Sequence, residues 1–356
     1  MERAIYRIID ANFNRAREAI RVVEEFCRFA LNSSCLSKQA KELRHKLCRA
    51  ISRLDAGRLI SCRDTLGDVG IGETVNNQLE RLDLKECLIA GSKRLTEALR
   101  VLAEVIQTID KPLADTIEKL RYDAYQLEKD IVLFSEPAEK FRKVCLYIVI
   151  TSNFPAEIIT LTGKCAAGGA DCIQLRAKAM DDDKMYATAA EFVKMNRGEG
   201  VLSIINDRVD IAISAGADGV HLGQNDLPVD CARRLQMTPM IIGKSTHSPE
   251  QLIAACGENP TYVGLGPVFA TETKPAAKAV GLEYVRQAGR ILADTGIGHV
   301  AIGGINRDNV NEVLSAGARC IAVCSAVTKA IDPKAACSDL KDKIKAYLDK
   351  VSDELA

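Results

Sequence analysis

The chain has 356 residues, 48 basic and 48 acidic side chains, a pI near 6.9 and no tryptophan. The length suffices for two domains, or for one large barrel plus a second piece. Balanced charge argues against a nucleic-acid or anionic-membrane surface, and the scarcity of aromatics argues against base-stacking platforms.

The first ten residues, MERAIYRIID, lack an apolar signal core, and no apolar run approaches the ~18 residues of a membrane span. Residues 1–136 read as an all-helical bundle. Apolar side chains recur at helical spacing through Ile5–Leu31, Leu36–Leu54, Leu82–Ile109 and Leu113–Phe134. An internal repeat supports this. RAREAIRVVEEF from Arg15 matches RLTEALRVLAEV from Arg94 at an offset of 79, and LRH at Leu43 echoes LRY at Leu120. Two copies of a helical hairpin imply a four-helix bundle with pseudo-two-fold symmetry. Between the copies, the loop SCRDTLGDVGIGE at 61–73 could bring Arg63, Asp64 and Asp68 to Asn12, Asn14, Arg15 and Arg17. Salt-bridged helix faces at i,i+3 and i,i+4 are the simpler account of the charges of the repeat, and the loop is the part they explain least well.

A charged stretch with Pro137, residues 137–143, reads as a linker. Beyond it, residues 144–356 alternate strand and helix. Apolar runs fall at 145–151, 172–178, 202–207, 219–224, 240–246, 262–269, 299–305 and 320–327. Turns such as Gly169-Ala170-Asp171 and Gly216-Ala217-Asp218-Gly219 return the chain into strands. Eight units in about 210 residues predict an α/β fold, a (β/α)8 TIM barrel, preceded by the all-α helical bundle. The thirteen cysteines show no CxxC pair and no Cys/His metal spacing. Most sit in apolar runs and read as buried reduced thiols of a cytoplasmic protein.

In such a barrel the chemistry sits at the C-terminal ends of the strands. Strand 2 ends in Gln174, Arg176 and Lys178, whose alternation lets all three face the mouth. Strand 3 ends in Asn206 and Asp207, strand 4 in Gln224, Asn225 and Asp226, and strand 5 in Lys244, Ser245, Thr246 and His247. Asp207 and Asp226 share one rim and suggest a divalent metal, although each could instead cap the helix that follows. His221, inside strand 4, reads first as a packed, hydrogen-bonded histidine. The strand 6 loop carries Thr271, Thr273 and Lys274. Gly303 and Gly304, with Cys324 and Ser325 ahead of a short helix, form a phosphate cup. Acids, cations and cup together describe a site for two phosphorylated molecules, one of which leaves diphosphate behind.

Residues 144–345 resemble the thiamine-phosphate synthase family through QLRAK, INDR, ADGVHLGQNDLP, IGKSTHS, GLGPVFATETK, IGGI and VCSAV, in that order. The resemblance implies a transferase that joins hydroxymethylpyrimidine diphosphate to hydroxyethylthiazole phosphate, giving thiamine phosphate and diphosphate by a Mg2+-dependent dissociative substitution. It implies that Gln174, Arg176, Lys178, Asn206, Ser245 and Lys274 hold the pyrimidine diphosphate, with Arg176, Lys178, Ser245 and Lys274 catalytic. Asp207 and Asp226 would bind Mg2+. Thr271, Thr273, Gly304, Cys324 and Ser325 would hold the thiazole phosphate. Cys324 departs from the aliphatic residue usual there. A thiazole tautomerase on the same barrel, or a non-catalytic sensor of thiamine intermediates, is the alternative.

The N-terminal region resembles the ThiD2-like module through DANFNRAREAIRVVEEF and the RDT-GDVG loop (63–70). That implies a pyrimidine phosphate kinase, or else a module that is only structural or that dimerises the chain into a homodimer. It contains no Walker A sequence.

Overall fold

A computed structural model describes residues 1–70, 80–271 and 278–355. It divides into two compact units, residues 1–132 and 133–356.

The first unit is helical: α1 (Glu2–Glu25), followed by a π-helical turn at Phe26–Ala30, α2 (Ser34–Ile51), α3 (Ala56–Ser61), α4 (Leu84–Ile106) and the start of α5 (Lys111–Phe141). Local chemistry sets the starts. Ser33 accepts from the Leu36 N–H, and Asp83 accepts from Glu86 N–H while Glu86 accepts from Leu82 N–H. Each satisfies amides the helix itself cannot pair. The repeat pairs in space, because α1 packs along α4. Ala19 and Ala98, matched in the repeat, are both buried, as are Ile20 and Leu99 beside them. Glu24 is buried between Arg44, at 3.0 Å, and Arg21, at 3.4 Å. Arg100 and Glu118 (3.8 Å) tie α4 to α5 in the second half.

The stretch 137–143 differs from the linker expected there. Helix α5 continues through it to Phe141, with Pro137 inside the helix. Pro137 removes one intrahelical hydrogen bond, but Phe134, Ala138 and Phe141 are buried on one face and hold the helix together across it.

The second unit is the predicted barrel. Eight parallel strands close in sequence order: β1 (Leu146–Thr151), β2 (Cys172–Arg176), β3 (Leu202–Asn206), β4 (Gly219–Leu222), β5 (Ile241–Thr246), β6 (Tyr262–Leu265), β7 (Gly298–Ile302) and β8 (Cys320–Val323). Leu146 pairs with Ile321 to shut the ring. The intervening helices are α6 (Pro155–Ala167), α7 (Asp182–Glu199), α8 (Val209–Ala215), α9 (Val229–Leu235), α10 (Pro249–Glu258), α11 (Gly281–Leu292) and α12 (Val310–Ser315); α13 (Ser325–Thr328) and α14 (Pro333–Leu355) end the chain. Their apolar faces and the outward strand residues make the main core, around Ile148, Ile173, Ile205 and Phe192. The inward residues Tyr147, Cys172, Ile204, Tyr262 and Cys320 form a second cluster. The Phe141 ring joins it, stacked on Tyr262 with centroids 4.1 Å apart.

Strand 6 is shorter than its apolar run, because Pro267 has no N–H to continue the ladder. The chain instead crosses to the end of β7, where Val268 N–H donates to Ile302 and Phe269 N–H to Gly303. All thirteen cysteines are free thiols. Cys27, Cys165, Cys172, Cys320 and Cys337 are buried as expected, and the rest are half-buried. Among the described residues no helix is long and apolar enough to cross a membrane.

Candidate active site

A cavity of about 720 Å³ opens at the C-terminal ends of the strands. Gln174, Arg176, Lys178, Asn206, Asp207, Asp226, Ser245, Thr271, Gly304, Cys324 and Ser325 all line it. Thr273 and Lys274 lie outside the described residues. The topology explains the convergence: every strand runs the same way, so residues far apart in sequence end on one rim.

Neither aspartate is a helix cap. Helix α8 begins after Arg208 and α9 after Pro228, each without a side-chain cap. Asp207 instead sits at φ +63°, a left-handed conformation that an aspartate adopts at some cost. Its own N–H donates to the His221 carbonyl at 2.8 Å, which anchors the turn. Asp226 accepts from the Gly223 N–H at 2.6 Å. The two carboxyl groups lie close enough for each to shift the proton affinity of the other. Burial and the facing Asp226 push the Asp207 carboxyl above the usual carboxylate range. Burial would also raise Asp226, but the neighbouring Asp207 carboxyl, the Gly223 amide and the charges of Lys178 and Lys244 hold it below that range. Asp226 is therefore the more acidic member of the pair and Asp207 the less acidic one.

Lys178 reaches Asp207 at 3.6 Å, and Arg176 also lies close enough to favour its charge. Arg208, next in sequence, is drawn away to Asp182 and Asp210. In β5, the inward Ser245 lines the cavity, whereas Lys244 is buried and donates to the Gly223 carbonyl at 3.0 Å. Gln224 donates to the Ser245 carbonyl at 2.6 Å and braces the β4 loop against β5.

Opposite the acids, the β7 turn presents its backbone. Gly304 lies at φ +65°, and a Cβ there would stand 2.6 Å from the Ala270 carbonyl oxygen and 2.7 Å from Phe269 Cβ. Only glycine fits, so the β6 and β7 loops pack closely and the peptide stays accessible. Cys324 Sγ lies 3.7 Å from Thr151 Oγ1 on the same side.

Tyr147 and Tyr262 line the floor of the cavity and were not singled out by the sequence reading. A polar-tipped aromatic inside an otherwise apolar strand was the available signal. His221 does make hydrogen bonds, to Tyr262 and Ser245, and it also lines the cavity.

In the helical unit, the 61–73 loop docks on α1 as far as it is described. Arg63 grips Asp10 through two hydrogen bonds of 2.7 and 2.8 Å, Arg7 reaches the Asp64 carbonyl at 3.3 Å, and Asn14 bonds to Asp10. Asp64 and Asp68 bond within their own turns. Asp10, a buried acid that the sequence reading passed over, is the centre of this cluster.

Comparison with known proteins gives the same picture. Residues 146–327 match the family model for thiamine monophosphate synthase, and residues 7–130 match the ThiD2 family. The chain is 39% identical to thiamine-phosphate synthase from Synechocystis sp., over 95% of both chains. It is 37% identical to thiamine-phosphate synthase from Rhodopirellula baltica, over 91% of this chain and 88% of that one. Among solved structures, thiamine phosphate pyrophosphorylase from Pyrococcus furiosus superimposes with a TM-score of 0.53 at 36% identity, covering 58% of this chain and 98% of that one. The chain therefore belongs to the thiamine-phosphate synthase family, with a ThiD2 region ahead of its barrel.

Proposed function

We propose that the chain is a thiamine-phosphate synthase that joins hydroxymethylpyrimidine diphosphate to hydroxyethylthiazole phosphate and releases diphosphate. The observation that carries this reading is the gathering of an acid pair, two cations and a glycine-built cup in one cavity. That arrangement suits two anionic substrates of different charge.

The acid pair fits a magnesium ion. Two neighbouring carboxylates cannot both ionise comfortably, and a divalent cation would supply the positive charge that lets both do so. Among the described residues no group of three or more His, Cys, Asp or Glu is placed to hold a metal ion by itself. Few protein carboxylates is the usual Mg2+ arrangement, with water and substrate phosphate completing the shell. Asp207 and Asp226 would hold it, and when bound it neutralises charge on the diphosphate.

The protein's own groups do the rest. Arg176 and Lys178 stabilise the negative charge that grows on the diphosphate as its bond to the pyrimidine methylene breaks. Gln174, Asn206 and Ser245 orient the aminopyrimidine, which spreads the positive charge left on the methylene carbon. Gly304, Cys324 and Ser325 hold the thiazole phosphate through backbone groups beside Thr271, so that the thiazole nitrogen faces that carbon. No general base is required, since the attacking nitrogen carries no proton.

The test is turnover by the full-length protein. With pyrimidine diphosphate, thiazole phosphate and Mg2+, stoichiometric thiamine phosphate and diphosphate are expected; no product from a folded protein rejects the reading. A parallel reaction with pyrimidine monophosphate and ATP reports whether the full chain also phosphorylates.

A further inference from the structure

Under the cavity, strands β1 to β6 each contribute one side chain to a continuous hydrogen-bonded file. Ser245 Oγ lies 2.8 Å from His221 Nε2, His221 Nδ1 lies 2.9 Å from the Tyr262 hydroxyl, and that hydroxyl lies 2.9 Å from the Tyr147 hydroxyl. Tyr147 then donates to Gln174 Oε1 at 3.3 Å, and Gln174 Nε2 donates to Asn206 Oδ1 at 2.8 Å.

With the Gln174 amide oxygen turned to Tyr147 and its nitrogen to Asn206, proton counting gives the file one direction. The Tyr147 proton is committed to Gln174, so its oxygen must accept from Tyr262. The Tyr262 proton is then committed, so its oxygen must accept from His221 Nδ1–H. A neutral imidazole has a single N–H, which leaves Nε2 as the acceptor. Ser245 Oγ–H therefore donates to His221, and the serine's lone pairs remain for the cavity. At the far end, Gln174 keeps one amide proton and Asn206 keeps its amide protons for the cavity.

The file is built into the fold. Tyr147 and Tyr262 are 2% and 1% exposed, so an unmade hydrogen bond there is costly. Phe141 stacks on Tyr262 and also meets Tyr147 edge-on, at 6.4 Å. A Cβ at Gly243 would stand 2.2 to 2.6 Å from Tyr262 Cζ, the Tyr262 hydroxyl and His221 Nδ1. Position 243 therefore has no room for a side chain while Tyr262 and His221 remain bonded.

We propose that Tyr147, Tyr262 and His221 are positioning residues that impose this single direction, with neutral His221 protonated on Nδ1, and so select an aminopyrimidine over its oxo counterpart. The mouth offers an acceptor at Ser245 and donors at Gln174 and Asn206. An amino group beside an unprotonated ring nitrogen matches that order. A ring carbonyl beside an N–H reverses it and meets acceptor with acceptor and donor with donor. The selectivity rests on the proposed function, in which the pyrimidine binds here, whereas the hydrogen-bond direction does not.

The test has two independent readouts on the full-length protein. Nitrogen-15 spectra of histidine-labelled protein, with His221 assigned by its absence in His221→Asn, should show a pyrrole-type Nδ1 and a pyridine-type Nε2. Kinetics should show that Tyr262→Phe, which keeps the stacked ring, raises KM for the pyrimidine diphosphate at least about tenfold. KM for the thiazole phosphate should stay within about twofold. The ratio of KM for the 4-oxo pyrimidine diphosphate to KM for the amino substrate, about 100-fold in the parent protein, should fall toward unity. If Tyr262→Phe does not fold, Tyr147→Phe breaks the next link and carries the same expectation. An Nε2-protonated His221, or parental KM and discrimination in the phenylalanine variant, overturns the proposal. A parent protein that makes no thiamine phosphate sinks the function reading instead, and the spectrum still decides the direction of the file.

Discussion

Asp207 and Asp226 come from adjacent strand ends and line the same cavity, each shifting the proton affinity of the other, with Asp207 held in a left-handed backbone conformation. Strain and like-charge proximity at one point are costs that a purely structural turn would avoid. In the metal-free protein the raised Asp207 pKa means that the folded chain binds this proton more tightly than the unfolded chain does. Its stabilising contribution is present below the ordinary aspartate value and is lost as pH rises through the higher folded value. Asp207→Asn removes the charge and places a residue that tolerates φ +63°. Metal-free Asp207→Asn should therefore be at least as stable as the parent at pH 7, by up to about 1 kcal/mol, while Mg2+-dependent turnover falls at least about 100-fold. Thermal melts in EDTA and a Mg2+ titration of activity check both halves; wild-type turnover in this variant and in Asp226→Asn removes the metal assignment.

Arg176 and Lys178 differ in what they can do. Arg176 stands at the end of β2, half-buried and fixed by the ladder, whereas the Lys178 side chain is 59% exposed and pairs with Asp207. A rigid guanidinium binds diphosphate in two places at once. Arg176→Lys should retain little of the parental rate, a loss of about 100-fold in kcat/KM. Lys178→Arg should keep most of it. Steady-state kinetics of the two conservative variants separate a geometric requirement at 176 from a simple charge requirement at 178.

The barrel was legible because its signal repeats. Eight apolar runs, each followed by polar residues, give strand count and rim together, and the rim residues then follow from parallel topology. What escaped was what depends on pairing across the ring. Nothing local to the run around Tyr147 says that its hydroxyl meets that of Tyr262, 115 residues away. Pro137 misled for the opposite reason: it is a strong local signal, overruled by burial of Phe134 and Phe141 on either side of it. The Gly-Ala-Asp turns were read only as turns, yet each aspartate ties strand starts together. Asp171 accepts from the Cys145 and Leu146 amides, and Asp218 from the Ser203 amide and hydroxyl.

Gly304 offers a test of the cup that leaves the acids untouched. Alanine there must adopt φ +65° and push against the Ala270 carbonyl and Phe269 Cβ. The strain is worth about 1–3 kcal/mol, and some of it will be relieved by moving the β6 and β7 loops apart. Gly304→Ala should raise KM for the thiazole phosphate about tenfold or more, with a lower melting temperature and a smaller change in KM for the pyrimidine diphosphate. An equal rise in both KM values would show that the β7 turn does not discriminate between the substrates.

Asp171 contributes a pH dependence of opposite sign to that of Asp207. Burial alone would raise its pKa, but the Lys341 ion pair and the two amides at the start of β1 outweigh burial and hold it below the ordinary aspartate value. Lys341, on α14, is raised by the same contact despite its burial. For a depressed carboxyl the stabilisation is complete above the unfolded value, near 3.9, and is lost as pH falls through the folded value. Asp171→Asn retains shape but loses the ion pair and one acceptor oxygen's charge, and it leaves the Lys341 ammonium, on a side chain only 10% exposed, without its partner. The loss should be about 1–3 kcal/mol at pH 7 and should shrink as pH falls below about 3.9, where the unfolded chain takes up the proton that folded Asp171 resists. Urea unfolding of parent and variant between pH 3 and pH 8 measures this; a stability difference that stays constant, or widens, toward acid pH would show that Asp171 acts by shape alone.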